Sequence, residues 1–382
     1  MAITIEEITA AYELEKAQRR TPVSADDLPF VFEDITPDWL TTVLCRKHSG
    51  AKALSYRLDV PDNGTSSRRR IFIEYNAAGN AAALPTRIFC KATHSLPNRT
   101  MLGIPGCIQA EVNFYNKVRP LLPIEAPVCH FANFNSALNS IVMLHDMGDQ
   151  ATFCTHTTDI TDARAQSQLR LLATMHGKFL DSVELTTGLS IFPTWSDFFR
   201  SDDYPAFEQA CDNGFVAAEE VIPARLFARR KEIWPATRKS AERHRQLPHT
   251  LCHNDVHLRN WYVAADGAMG LSDWQVTTRS HWSRDLIYAL STSLTVENRR
   301  KWEAELLRYY QDQLQHAAGR SISFDGVVDE MRRQLLTVLA FWTITLQPAS
   351  GMPEMQPRDS TLEFIKRIAT AMDDLDTLDN VE

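Results

Sequence analysis

The stretch Leu251-Cys252-His253-Asn254-Asp255-Val256-His257-Leu258-Arg259-Asn260-Trp261-Tyr262-Val263, with Leu271-Ser272-Asp273-Trp274-Gln275 shortly after it, decides how this chain is read. Asp255 and Asn260 stand five positions apart (260 − 255 = 5). Trp261 to Val263 and Met269 to Leu271 read as two brief strands joined by a turn at Asp266-Gly267. One carboxylate and one amide therefore flank the start of a hairpin, and a second carboxylate, Asp273, leaves its far end. Three oxygen-bearing side chains converge. Hard oxygen ligands of this kind suit Mg²⁺, which binds few protein groups and completes its shell from phosphates and water. Asp255 is left to receive a proton from an attacking hydroxyl.

A rival reading takes His253, Asp255 and His257 as H-x-D-x-H, in which imidazole and carboxylate suit Zn²⁺ and a hydrolytic metal site. The longer order, H-x-D-x-x-x-x-N, then a strand, then an aspartate, is the layout of a kinase catalytic loop and metal loop. The segment resembles the aminoglycoside phosphotransferase and choline-kinase-like group of small-molecule kinases, whose loop often reads H-G-D-x-H-x-x-N. The runs Arg284-Asp285-Leu286-Ile287-Tyr288-Ala289-Leu290, Ser293-Leu294 and Leu306-Leu307-Arg308-Tyr309-Tyr310 are closer still to the ecdysteroid-kinase-like branch. Asn254 stands where the group usually has glycine, and Asp273-Trp274-Gln275 stands for the D-F-G of protein kinases.

The resemblance spans roughly Thr36 to Leu346. It implies an α+β, bilobal protein-kinase-like fold. Residues 1–144 are expected to form a leader and a nucleotide-binding lobe with a five-stranded antiparallel sheet. Residues 145–382 are expected to form a mostly helical catalytic lobe. It implies ATP, or GTP, with Mg²⁺ as cofactors. Asp255 is expected to be the base, Asn260 and Asp273 the metal ligands, His253 a brace for the loop, and Asp285 the buried carboxylate that ties the loop down.

Upstream, Ala53 to Val60, Ile71 to Tyr75 and Arg87 to Ala92 read as strands. Lys91 sits inside the third, where an ammonium is costly unless it meets an anion. Glu111 follows twenty positions later (111 − 91 = 20), on a helix marked by Val112, Tyr115 and Val118. A strand lysine paired with a helix glutamate places its charge on nucleotide phosphates. Between the first two strands, Asn63-Gly64-Thr65-Ser66 form a small-residue turn that in the resembled family covers those phosphates. A plain hairpin turn accounts for these letters equally well. Ser140 to Leu144 is an apolar strand running into His145 and Asp146. In the resembled family the backbone of Leu144, His145 and Asp146 meets the adenine edge.

The 382 residues carry a net charge of −8 and are 44% hydrophobic, which excludes general disorder and argues against a nucleic-acid partner. Seven scattered cysteines without C-x-x-C argue against a disulfide framework. With no signal-like N-terminus and no membrane span, they point to the cytoplasm. Helices are expected over Gln166 to Leu180, Ala206 to Val221, Ala224 to His244, Asn298 to Ala317, Phe324 to Leu346 and Thr361 to Met372, with a proline-containing loop over residues 348–357 and a frayed acidic tail.

Only eleven residues separate Asp273 from Asp285 (285 − 273 − 1 = 11), too few for a peptide-binding activation segment, so the acceptor is a small molecule with a hydroxyl. Trp195, Phe198, Phe199, Phe207, Phe215, Phe341 and Trp342 suggest a lipophilic alcohol if they face the site, or plain core if they do not. An aminoglycoside- or choline-type kinase, a metal-dependent hydrolase and an inactive nucleotide-binding module are the alternatives.

Overall fold

The computed structural model describes residues 3–199, 205–324, 326–348 and 355–381. The chain divides into two compact units, Met1–Leu121 with Pro127–Asp149, and Leu122–Ala126 with Gln150–Glu382. The first unit runs past the boundary at Leu144 expected from the sequence, and a short earlier segment joins the second.

In the first unit, α1 (Ile5–Ala17) begins with a capping box between Thr4 and Glu7. In α2 (Pro37–Leu44), the Thr36 hydroxyl accepts the Trp39 N–H and a proline occupies the first turn. There follow β1 (Ala53–Leu58), β2 (Asp62–Asn63), β3 (Ser67–Tyr75), α3 (Ala77–Ala81), β4 (Arg87–Ala92), α4 (Leu96–Gly103), α5 (Cys107–Asn113), β5 (Cys129–Phe134) and β6 (Ser140–His145). The antiparallel sheet runs β1-β3-β4-β6-β5, with β2 paired to β3 alone. It has six strands rather than the expected five, the two-residue β2 being the addition. β5 escapes a pattern search because Phe131 and Ala132 are both buried and a bulge between Cys129 and Phe131 breaks the alternation.

Ile88, Cys90 and Ala92 of β4 join Trp39, Leu40 and Val43 of α2 in one core. Lys91, alternate to them, emerges on the opposite face. The leader is anchored as well: Glu15 of α1 pairs with the fully buried Arg99 and accepts from the side-chain amides of Asn135 and Asn139. The Tyr12 ring lies 4.9 Å from the Arg99 guanidinium.

The second unit contains β7 (Ala151–Phe153), α6 (Asp162–Phe179), α7 (Trp195–Phe198), α8 (Pro205–Ala217), α9 (Ala224–Phe227), α10 (Arg230–Arg243), β8 (Thr250–Cys252), β9 (Trp261–Ala264), β10 (Met269–Leu271), β11 (Thr278–Ser280), α11 (Ser283–Ser293), α12 (Val296–Ala318), α13 (Val327–Leu346) and α14 (Arg358–Asp374). Two small antiparallel sheets, β10-β9-β7 and β11-β8, carry the loops between the helices. The segment expected as one helix over Ala224 to His244 is two, α9 and α10. Of the proline-containing loop, residues 349–354 lie outside the described residues.

Helix α13 packs against α8, α10, α11 and α14. Where α8 crosses it, a Cβ on Gly214 would stand 1.9 Å from the Thr343 carbonyl oxygen, so only glycine permits the approach. All eleven residues of α11 are buried. The acidic tail is not frayed: Asp373 and Asp376 pair with Arg225, Asp374 with Arg299 and Arg300, and Asp379 with Arg229. Those arginines are remote in sequence, so local charge counting misses them. Among the described residues no helix is long and apolar enough to cross a membrane, and none of the seven cysteines is in a disulfide.

Candidate active site

Strand β8 feeds directly into the loop that begins at His253. Asn254 has φ 63°, in the left-handed region that side chains other than glycine rarely enter. Asparagine tolerates it best among the rest, which explains how it stands in a glycine position. Its Nδ2 donates to Thr278 Oγ1 at 2.6 Å and to the Cys252 carbonyl at 3.3 Å.

Asp285, in the first turn of α11, accepts the N–H groups of both His253 and Asn254 at 2.8 Å. His176 Nε2 lies 3.2 Å from the same carboxylate, with its Nδ1 2.7 Å from the Tyr310 hydroxyl. Burial pushes the Asp285 carboxyl up, but the His176 hydrogen bond and neighbouring positive charge outweigh it, so the group stays below its ordinary value. Arg284 Nη1 donates to the Asn254 carbonyl at 2.6 Å.

His176, Cys252 and Asp285 approach one another closely enough to suggest a metal site. The carboxylate is already consumed by two amides and an imidazole, and burial raises the Cys252 thiol well above its usual range. The cluster is a buried brace.

His253 is also a brace. Its Nε2 donates to the Ser272 carbonyl at 2.9 Å and its Nδ1 accepts the Asp255 N–H at 3.1 Å. With both ring nitrogens engaged it has no lone pair left for zinc, which removes the H-x-D-x-H metal site.

Asp255 Oδ1 accepts the Tyr288 hydroxyl at 3.1 Å, and Oδ2 accepts Asn260 Nδ2 at 3.1 Å with His257 Nε2 at 3.6 Å. Burial would raise this carboxyl. The neighbouring His257 imidazole and the Tyr288 hydrogen bond prevail and hold it at about 2. Asp255 is therefore ionised across the physiological range.

Asn260 Nδ2 also reaches the Asp255 carbonyl at 2.7 Å, which leaves Oδ1 as the atom with ligand character. The Ser272 N–H and hydroxyl both donate to the Asn260 carbonyl at 2.9 Å, bringing Asp273 beside Asn260. Asp273 takes φ 64° and ψ 66° at the start of a short helical turn. An amide oxygen and a carboxylate side by side are a donor set that fits Mg²⁺.

His257 packs edge-on to Trp342, ring centroids 5.2 Å apart, with Phe364 at 5.9 Å. Arg259 turns away to Ser360 Oγ at 3.0 Å. Tyr288 was not anticipated from the sequence. The available signal was its position three residues after Asp285, on the same helix face.

In the first unit Lys91 Nζ meets Glu111 Oε1 at 2.7 Å, both side chains buried, and α5 passes into a π-helical turn over Phe114–Val118. Such turns are frequent beside functional sites. The turn after β2 is tied to α4: Asn98 Nδ2 donates to the Thr65 carbonyl at 2.8 Å and the Gly64 carbonyl at 3.4 Å. The Gly64 N–H is spent on the Ser66 carbonyl, 3.0 Å away. A Cβ on Gly64 would meet only the end of the Arg68 side chain, so glycine is not sterically required there. Ser66 is buried, and Asn63 pairs with Ser67 in the ladder.

Leu144 and His145 end β6, and the His145 N–H donates to the Val128 carbonyl at 2.8 Å. That amide is committed to the sheet rather than to an adenine edge. The Asp146 carboxylate is held by Arg87 at 2.9 Å and Arg70 at 3.3 Å and works as a strand-end clamp.

Of the aromatic residues considered for an acceptor pocket, Trp195, Phe199, Phe215 and Trp342 are core, while Phe198, Phe207 and Phe341 are half-buried. Glu303 is paired with Arg299, and Glu297 and Glu305 are exposed on α12, so these carboxylates form no polycation site.

A model of the ecdysteroid kinase-like family matches residues 61–321. No curated protein matches in sequence. Among solved structures, choline kinase LicA from Streptococcus pneumoniae is similar over 84% of this chain and 94% of its own, at 14% identity and a TM-score of 0.48. An ethanolamine kinase from Plasmodium vivax is similar over 96% and 93%, at 12% identity and a TM-score of 0.48. An aminoglycoside 2′-phosphotransferase in complex with GDP covers 88% and 96%, at 12% identity and a TM-score of 0.46.

Proposed function

Because the chain belongs to the ecdysteroid kinase-like family, we propose that it transfers the γ-phosphoryl group of ATP to a hydroxyl of a small molecule, with Asp255 as the base. A chain of this family is a small-molecule phosphotransferase. The observation that carries the assignment of Asp255 is its surroundings: a carboxylate held ionised on a braced loop, with Asn260 hydrogen-bonded to it and Asp273 presented by the hairpin. Asn260 Oδ1 and Asp273 would hold Mg²⁺, which when bound neutralises phosphate charge. Lys91, steadied by Glu111, would do the same for the α and β phosphates. Asp255 orients the acceptor hydroxyl and takes its proton, and positioning supplies most of the rate.

A silent nucleotide-binding module would not need Lys91, Asp255, Asn260 and Asp273 together. The hydrolase alternative fails on His253, whose ring is fully hydrogen-bonded. For the acceptor we favour a neutral, largely apolar alcohol over a polycation. The support is the family and the carboxylates of α12, which are paired or solvated. The buried aromatic residues give this preference no help. Cysteines without disulfides suit a cytoplasmic location.

The test is Asp255→Ala. Phosphoryl transfer should fall about 10²-fold or more, while thermal stabilisation by Mg-ADP stays as in the wild type. A smaller loss would remove Asp255 from the base role. Efficient phosphorylation of kanamycin-type aminoglycosides, with none of steroid or other lipophilic alcohols, would overturn the acceptor preference alone.

A further inference from the structure

We infer that Tyr288, itself held by Trp342, is a positioning residue that fixes the rotation of the Asp255 carboxylate and leaves one lone pair of Oδ1 for the acceptor hydroxyl. The inference rests on the reading of Asp255 as the base and deepens it.

An aspartate carboxylate turns easily, because its last torsion is broad and roughly two-fold. Two oxygens offer about four lone-pair directions. On Oδ2, Asn260 Nδ2 donates at 3.1 Å, and the His257 ring, its Nε2 3.6 Å away, makes no hydrogen bond but crowds the other side of that oxygen. On Oδ1, the Tyr288 hydroxyl at 3.1 Å takes one. A direction on Oδ1 is what remains. With donors on opposite oxygens, any turn of the carboxylate breaks a hydrogen bond.

Tyr288 is suited to this work in three respects. It is buried on α11, where burial and the Asp255 charge push its phenol well above the usual range, so it stays a donor. Its single proton goes to Asp255, because the other direction on its oxygen is filled by Trp342 Nε1, which donates at 2.9 Å from α13. The other charged group near it, Arg284, gives a hydrogen to the Asn254 carbonyl and lies 3.8 Å from the Trp195 ring. It supports the loop from behind and makes no hydrogen bond to the carboxylate. Phe364 and Trp342 wall off His257 and bring no charge.

The test uses the full-length protein with Mg-ATP and water as acceptor, reading released phosphate, so no acceptor needs to be known. Tyr288→Phe removes one oxygen and keeps the ring. Its kcat should fall about tenfold or more, with the KM for ATP close to wild type and a melting temperature lowered modestly, because Trp342 Nε1 loses its acceptor. Trp342→Phe should give a smaller fall. The double variant should be no slower than Tyr288→Phe alone, since Trp342 acts through the tyrosine hydroxyl.

A Tyr288→Phe enzyme at the wild-type rate beside a slow Asp255→Ala enzyme would overturn this inference alone. Losses that multiply in the double variant would overturn it as well, because they would mean the two residues act separately. Asp255→Ala at the wild-type rate would overturn the base assignment, and this inference with it.

Discussion

Two loops of this protein were expected to handle the reacting groups, and they are built differently. The turn over residues 62–67 is held by one asparagine that collects two of its carbonyls. The loop over residues 253–260 is held by the Asp285 carboxylate, itself backed by His176, by Arg284, and by its own His253 reaching across to Ser272. Each has a residue in a position associated with glycine. In the turn the glycine is real, yet no left-handed φ or close backbone neighbour requires it. In the loop the residue is Asn254, and the backbone there is left-handed. The comparison teaches that strain lies where the bracing is heavy, as expected if a strained backbone persists only when its surroundings over-determine it.

The strongest way to break the comparison is Asp285→Ala. It orphans two buried N–H groups and the partner of His176. It should destabilise the second unit by about 3–5 kcal/mol, read as a shift in urea midpoint. A loss under about 1 kcal/mol would mean that the loop holds itself.

Acid should act on the same region. His244, which hydrogen-bonds Ser280 of β11, and the adjoining His281 are both held down to about 3 by burial. Their unfolded value lies near 6.5, so between 6.5 and 3 the unfolded chain binds more protons than the folded one. Stability is therefore fully present above 6.5 and lost as pH falls. Each imidazole contributes up to about 1.4 kcal/mol per pH unit. Together they should cost about 2.5 kcal/mol between pH 7 and pH 5.5, and replacing His281 with glutamine should flatten the curve of melting temperature against pH.

Asn254→Ala should cost about 2 kcal/mol, from the left-handed backbone and the lost bond to Thr278, and Asn254→Gly clearly less. Equal costs for the two would show that the backbone angle carries no strain. Smallest of all, Gly64→Ala should change stability by less than about 0.5 kcal/mol and leave Mg-ADP affinity unchanged. A tenfold loss of affinity there would sharpen the contrast in the other direction, marking Gly64 as a point where a phosphate touches the backbone.

Much of this was legible in the letters. The spacing from His253 to Asp273 and the pair Lys91 and Glu111 could be read because the chemistry constrains residue type and distance along the chain together. Asp285 followed because its place after the hairpin matched a known pattern. Tyr288 carried the same helical signal and was passed over, since a tyrosine in an apolar run looks like core. Asn98 and Thr278, and the role of Trp342 as the partner of Tyr288, are not legible in the letters, because each reaches its partner from an element whose approach is set by tertiary packing. The acidic tail misled for a related reason: its arginine partners sit on α9 and α12 and in the segment between α9 and α10, and charge patterning reports only neighbours.

The clasp between Glu15 and Arg99 has a practical meaning for anyone cutting the gene. The region matching the family begins at residue 61, and an expression fragment trimmed to it would discard α1. Arg99, wholly enclosed in the intact chain, would lose the Glu15 carboxylate together with the Tyr12 and Phe30 rings that cover it, and keep only the Thr93 and Ala137 carbonyls. A guanidinium cannot shed its proton, so the cut would leave a charged side chain beside newly bared apolar surface. The leader is thus a stretch of chain that a domain architect would delete and that the first unit cannot spare.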